Sequence, residues 1–273
     1  MNILFVGDVF GSAGRRIVRE HIGHVRKENN VDLTVINGEN AAGGFGITPQ
    51  LAEDLFDLGA DVITTGNHVW DKRELIDYMN SVPAVEESTS QARPRRIIRP
   101  ANMQPNLPGY GVFEGTTDSG VPYAVVNLMG RVFMNGTNDP FHAINDILTA
   151  IQANSGAKVI LVDFHAEATS EKVAMGWHLD GRVTAVLGTH THIPTADQRV
   201  LPNGTAYQTD VGMSGPYDSV IGVEKELVLA RFLTGMSGKF EAAKGNPKMC
   251  AALITCDPTT GHASEIQRIM LGE

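Results

Sequence analysis

Five short apolar runs in this chain end in residues that can hold a metal ion. They are Asn2-Ile-Leu-Phe-Val-Gly7-Asp8, Leu33-Thr-Val-Ile-Asn-Gly38-Glu39-Asn40, Val62-Ile-Thr-Thr-Gly66-Asn67-His68, Lys158-Val-Ile-Leu-Val-Asp163-Phe164-His165 and Val183-Thr-Ala-Val-Leu-Gly188-Thr189-His190-Thr191-His192. Carboxylates, amides and imidazoles supply the oxygen and nitrogen that divalent first-row metals take. Burying so many polar side chains together costs several kcal/mol unless they are paired or metal-bound. Ligands gathered from several strand ends would meet that condition.

Within the set, Glu39 is the candidate bridge between two ions, because a carboxylate has two oxygens. Asp8 is a candidate terminal ligand, or the N-cap of a following helix. Asn40 and Asn67 are amide-oxygen ligands or turn residues, a common site for Asn. His190 and His192 lie two apart, on one side of an extended segment and about 7 Å from each other; a turn between them would let them converge. His68 follows Asn67 and projects elsewhere, which suits a proton donor facing a substrate, or a core histidine. Arg131 at a strand end is a candidate phosphate contact, or a surface residue.

The elements that must position these groups alternate. Strands are expected at 2–7, 32–37 and 61–65. Helices are expected from about Arg15 to Asn29, from Thr48-Pro49 to Leu58, with Thr48 as N-cap and proline in the first turn, and from Asp71 to Asn80. The stretch 83–111 carries five of the 13 prolines and four arginines, Arg93, Arg95, Arg96 and Arg99. It reads as a long connection or small lid, with the arginines in a solvated loop rather than on a phosphate. Beyond it come a strand at 121–128, a helix near 141–154 and strands at 157–163 and 183–188. The last third is strand-rich, near 205–209, 249–256 and 262–270, which favours an antiparallel second sheet. The alternating first part favours a parallel one. Two mixed β-sheets flanked by helices, a four-layer α-β-β-α sandwich, satisfy both, within one domain over 1–273.

Composition narrows the function classes. The net charge of −9 argues against general electrostatic binding of long nucleic acid. Nothing approaches the roughly 18 consecutive apolar residues of a membrane span. Met1-Asn2 leads into a strand with no basic leader, so a cytoplasmic protein is expected. Cys250 and Cys256 fall in one strand, roughly 20 Å apart if extended, too far for a disulfide; they read as reduced core thiols. Gly7-Asp-Val-Phe-Gly11-Ser-Ala-Gly14 lacks the spacing of a nucleotide-binding glycine loop.

In order, Asp8-Val-Phe10, Gly38-Glu39-Asn40, Gly66-Asn67-His68, His165 and Gly188-Thr-His190-Thr-His192 resemble the motifs of the calcineurin-like metallophosphoesterases. Two positions depart from that pattern. Phe10 stands where the family has histidine and cannot bind metal, and Glu39 replaces the bridging aspartate, followed by Asn40. With Asn127-Leu-Met-Gly-Arg131 and the stretch from Asp163 to Lys172, the chain is similar to the YmdB-like branch over nearly its whole length.

That resemblance implies the α-β-β-α sandwich and a dinuclear iron or manganese centre; zinc also suits the ligand types. It implies phosphodiesterase activity on cyclic nucleotides, 2′,3′-cyclic and also 3′,5′-cyclic, by attack of a metal-bridged hydroxide. Carried over, one ion would be held by Asp8, Glu39, Asn40 and His192, the other by Glu39, Asn67, His165 and His190, with His68 as the acid. The expected partner is a small phosphodiester, with no membrane and no extended nucleic acid; a homo-oligomer stays open. So do a phosphomonoesterase or nucleotidase on the same site, and a non-catalytic sensor of nucleotides or RNA ends. Glu167, Glu171 and Lys172 read as a solvated loop or helix face rather than as supports for the ligands.

Overall fold

The first strand already dictates layers on both of its faces. In β1 (Asn2–Val6) every residue from Ile3 to Val6 is buried. Side chains alternate across a strand, so Leu4 and Val6 enter one apolar cluster while Ile3 and Phe5 enter another. A computed structural model describes residues 1–81, 93–236 and 238–272.

Helix α1 (Gly11–Glu28) follows β1, then β2 (Leu33–Asn37), α2 (Pro49–Asp57), β3 (Val62–Thr64) and α3 (Glu74–Asn80). Thr48 caps α2 by accepting a hydrogen bond from the Leu51 amide at 3.3 Å. Helix α1 begins at Gly11 rather than near Arg15, because Gly11 itself takes a positive φ at the turn into it. Next come β4 (Ile97–Ile98), β5 (Val112–Thr116), β6 (Pro122–Met129), α4 (Pro140–Asn154), β7 (Val159–His165), α5 (Thr169–Leu179), β8 (Ala185–Thr189), β9 (Arg199–Val200), β10 (Ala206–Gln208), β11 (Gly215–Pro216), α6 (Lys225–Thr234), β12 (Pro247–Cys256) and β13 (Ala263–Gly272).

Two mixed sheets result. One runs β11-β12-β1-β2-β3-β4, with β13 also paired to β12; the other runs β5-β6-β7-β8-β10-β9. Ile3, Phe5, Leu33 and Val35 pack between the sheets against Val125, Leu161 and Leu187. Ile17, Val18 and Ile22 of α1 cover the outer face of the first sheet, and Ile144 and Ile151 of α4 with Met175 of α5 cover that of the second. The chain has the α-β-β-α architecture expected of it. Among the described residues, no helix is long and apolar enough to cross a membrane.

The C-terminal strands differ from expectation. Of those expected there, only β10 lies in the second sheet, where it runs parallel to β8; β12 and β13 join the first sheet, β12 antiparallel to β1. Eight of the ten residues of β12 are buried, and only a central position covers both faces of such a strand. Cys250 and Cys256 lie there as free, buried thiols, and burial pushes both up to about 11. The proline-rich stretch also proves more integral than a lid. Residues 82–92 lie outside the described residues, but Ile97 and Ile98 are fully buried and pair with β3. Arg99 is buried and donates to the carbonyls of Pro100, Leu107 and Pro108. Arg93 pairs with Glu53 and Asp57, and Arg95 stacks on Tyr110.

Candidate metal centre

Parallel strands of an α/β sheet bring their carboxyl ends to one edge, the usual location of ligand sites. Here both sheets do so side by side. Asp8 follows β1, Glu39 and Asn40 follow β2, and Asn67 and His68 follow β3. His165 ends β7, and His190 to His192 follow β8. Asp163 clamps the two sheets beneath the site. Its carboxylate accepts from Asn37 at 3.0 Å and from Thr64 in the first sheet, and from Thr189 at 2.7 Å in the second.

Glycine at the strand ends leaves the space these groups occupy. A Cβ on Gly66 would lie 2.2 Å from Glu39 Oε2 and 2.4 Å from His165 Nε2. Both histidines of the His-Thr-His segment take left-handed backbone, φ 99° at His190 and 68° at His192. Such strain in non-glycine residues persists where surrounding contacts over-determine it. It supplies the turn that folds an extended segment back so that both rings face the cluster.

Four of the expected ligands meet at one point. His165 Nε2 lies 2.9 Å from Asn67 Oδ1, 3.0 Å from His190 Nδ1 and 3.1 Å from Glu39 Oε1. Three of these donor sets, from Glu39, His165 and His190, lie with their atoms within 4.8 Å of one another. The proton positions follow from the outer contacts. Thr189 donates to Asp163, so it accepts from His165 Nδ1 at 2.9 Å, which leaves the Nε2 lone pair facing inward. His190 Nε2 faces the Glu167 carboxylate at 3.1 Å, which only accepts, so Nδ1 too turns a lone pair inward. With His165 neutral, lone pairs then face lone pairs, an arrangement that a shared cation, a proton or a metal ion, resolves.

A second pair repeats the pattern. His192 Nδ1 donates to the Ile221 carbonyl at 2.8 Å, leaving Nε2 3.3 Å from Asn40 Oδ1. The Asn40 amide nitrogen is engaged with the Gly44 carbonyl, so its oxygen is an acceptor as well. Asp8 Oδ2 accepts from the His190 amide at 3.3 Å, while Oδ1 is buried with no hydrogen-bond partner. A fully buried, orphaned carboxylate oxygen fits a cation position, and so does the facing pair of acceptors at His192 and Asn40.

The electrostatics agree. Burial, and then Asp210, push the Asp8 carboxyl well above the usual range. Burial pushes Glu39 up too, but His165, His68 and His190 outweigh it and hold Glu39 at about 2. Burial and the neighbouring His165 bring His190 down to about 3, the neutral, ligating form. At His165 burial acts downward, but Glu39 and Asp8 outweigh it. The carboxylates therefore draw one positive charge onto this point, which a metal ion would supply in place of a proton.

His68 stands beside the cluster. Its Nδ1 lies 2.8 Å from Asp71 Oδ2, and its ring meets Phe45 edge-on at 5.1 Å between centroids. A carboxylate only accepts, so Nδ1 donates and Nε2 is free to face the cleft. Phe10 packs edge-on against the His192 ring at 5.4 Å. Arg131 is not brought to the cluster. Its side chain is exposed and lies 3.3 Å from Asp139, and it is not among the residues lining the cleft.

Glu171 and Lys172 differ most from expectation. Both are buried on α5. Glu171 accepts from the Arg131 and Val132 amides and closes the turn after β6. Lys172 Nζ donates to Asp210 Oδ2 at 2.6 Å and to the Thr189 carbonyl at 2.7 Å. The same Asp210 oxygen accepts from the Thr191 amide and hydroxyl. This ion pair holds both flanks of His190. A lysine near a helix start looks solvated in sequence, because its acid lies far along the chain. Asp71 is different: it carries a local signal, standing three residues after His68, where side chains on one helical turn meet.

The metal-ligand chemistry and the sandwich together point to one family, and a model of that family, described as YmdB-like protein, matches residues 4–269. The chain belongs to the YmdB-like family. A Bacillus subtilis relative named 2′,3′-cyclic-nucleotide 2′-phosphodiesterase is 43% identical over 273 residues, covering 100% of this chain and 98% of that protein. A crystal structure of a hypothetical protein from Thermus thermophilus superposes with a TM-score of 0.89 at 40% identity, covering all of both chains. A crystal structure described as a novel phosphatase from Mycoplasma pneumoniae gives 0.88 at 31% identity, covering 100% of this chain and 93% of that one. In this YmdB-like chain, the cleft above the cluster has a volume of about 720 Å³, and Glu39, Asn40, His68, His190 and His192 form its floor.

Proposed function

We propose that this chain is a dinuclear-metal phosphodiesterase that hydrolyses 2′,3′-cyclic nucleotides, releasing the 2′-oxygen. The observation that carries the reading is the inward convergence of lone pairs at His165, His190, Asn67 and Glu39, beside His192, Asn40 and the orphaned oxygen of Asp8. In this reading Glu39 bridges, Asn67, His165 and His190 complete one position, and Asp8, Asn40 and His192 the other. Iron or manganese is the proposed occupant. When bound, the two ions would supply an activated water and neutralise charge on the phosphoryl oxygens.

The chain's own residues supply the rest. Asp163 and Thr189 fix the His165 tautomer, as outer partners of ligating histidines do. His68, held by Asp71 through Nδ1, would give a proton carried on Nε2 to the leaving oxygen. Water adds across the bond that breaks, its hydroxyl going to phosphorus and one proton to O2′. The cleft lies within the volume range of small-molecule sites, which suits a mononucleotide. Side-by-side rates on 2′,3′-cyclic AMP and on 3′-AMP separate this reading from a nucleotidase, whose substrate would fill the same cleft.

His68→Ala is expected to keep both metal ions and lose about 10²- to 10⁴-fold in kcat on 2′,3′-cyclic AMP. Metal analysis alongside the rate checks this. Loss of metal together with activity would instead make His68 a ligand and leave the acid unassigned.

A further inference from the structure

We propose that Phe45 is the residue on which the nucleobase stacks, and that this contact selects the 2′-oxygen as leaving group. The inference rests on the cyclic-nucleotide reading above and goes further, to substrate orientation. Phe45 lines the cleft and is 37% exposed, high for an aromatic ring beside a buried polar cluster. Its loop is fixed. The Gly44 amide donates to the Asn40 carbonyl at 3.0 Å, the Asn40 side-chain amide donates to the Gly44 carbonyl at 3.0 Å, and the Ala42 amide donates to the Gly46 carbonyl at 2.9 Å. Gly44 and Gly46 flank it in left-handed backbone, and a side chain on Gly44 would strike the Phe10 ring. A pre-ordered, exposed aromatic platform loses little freedom when a ligand stacks on it.

The position of that platform matters for the chemistry. Phe45 meets the ring of His68, the proton donor, at 5.1 Å. In a 2′,3′-cyclic nucleotide the base is carried on C1′. C2′ adjoins C1′, whereas C3′ lies beyond it. A base seated on Phe45 therefore brings O2′, rather than O3′, towards His68. The bond between phosphorus and O2′ breaks, water supplies hydroxyl to phosphorus and a proton to O2′, and the product is the 3′-phosphate. A base seated on another aromatic of the cleft, Phe232 or Phe240, would not be under this constraint.

Wild type, Phe45→Ala and Phe45→Tyr are compared, all metal-loaded, on 2′,3′-cyclic AMP and on the 2,3-cyclic phosphate of base-free 1,4-anhydroribitol. The products are resolved by chromatography. Base stacking on one aromatic is worth roughly ten- to hundred-fold. Phe45→Ala is expected to lower the preference for the nucleotide over the base-free ring by that factor. It is also expected to release 2′-AMP beside 3′-AMP, and Phe45→Tyr to restore both properties. An unchanged preference with 3′-AMP alone would overturn the inference. So would an equal loss on both substrates, which would mean that Phe45 only props His68. Failure of wild type on both cyclic phosphates would overturn the phosphodiesterase reading itself, and this inference with it.

Discussion

Glu39→Ala is expected to reduce phosphodiester hydrolysis by at least about 10³-fold and to lower the metal content of the purified protein. The two oxygens of the Glu39 carboxylate meet different partners in the cluster. Its Oε1 meets His165, and its Oε2 accepts from the His68 amide at 3.3 Å. Removing it takes one oxygen from each proposed metal position and several kcal/mol of charge stabilisation from the transition state. The fold should survive, because Glu39 lies after β2 and contributes no apolar packing to the clusters between the layers. Metal analysis and hydrolysis of 2′,3′-cyclic AMP, with circular dichroism for folding, check the expectation. Two retained equivalents of metal in the variant would remove Glu39 from the bridging position.

Lys172→Met carries the largest expected stability loss. Lys172 and Asp210 are each about 1% exposed and joined at 2.6 Å. Removing one partner of a buried pair strands the other charge, a cost of about 3–5 kcal/mol. Against a total stability of about 5–15 kcal/mol, that is a large fraction, and the melting temperature should fall on the order of 10 °C. The amide and hydroxyl of Thr191 and the amide of Gly212 still donate to Asp210, which favours the lower end. The same change loosens both flanks of His190, so metal affinity should drop about 10- to 100-fold, as for outer partners of ligands. A melting temperature within a degree or two of wild type would show that the pair contributes nothing net.

The strand ends were legible because their chemistry is local. A buried apolar run, a glycine and then Asp, Glu, Asn or His states in a few residues both where a strand stops and what stands at its tip. Asp8, Glu39, Asn40, Asn67, His165, His190 and His192 all lie where those patterns placed them, at one edge of the two sheets. The supports were not legible. Asp163 joins Asn37, Thr64 and Thr189 across 126, 99 and 26 residues, and Lys172 reaches Asp210 across 38. Such pairings are set by topology, which no local spacing encodes.

The other differences have the same origin. Ile97 and Ile98 lie in an arginine- and proline-rich stretch, and only the open edge of β3 makes them a strand. The apolar run of β12 announces a strand but not its neighbours, and it sits in the first sheet between β1 and β11, with β13 also paired to it. Helix α6 is hard to see in the sequence because Leu229, Phe232 and Leu233 are exposed, which blurs the amphipathic pattern that marks a surface helix. Gly235, left-handed at φ 73°, marks its end.

Metal content and turnover measured on the same freshly purified protein test the two-metal reading most directly. Two equivalents of iron or manganese are expected, with hydrolysis of 2′,3′-cyclic AMP that chelation abolishes and metal restores. Full turnover in metal-free protein, or a metal-replete protein that cleaves no phosphodiester, would contradict it.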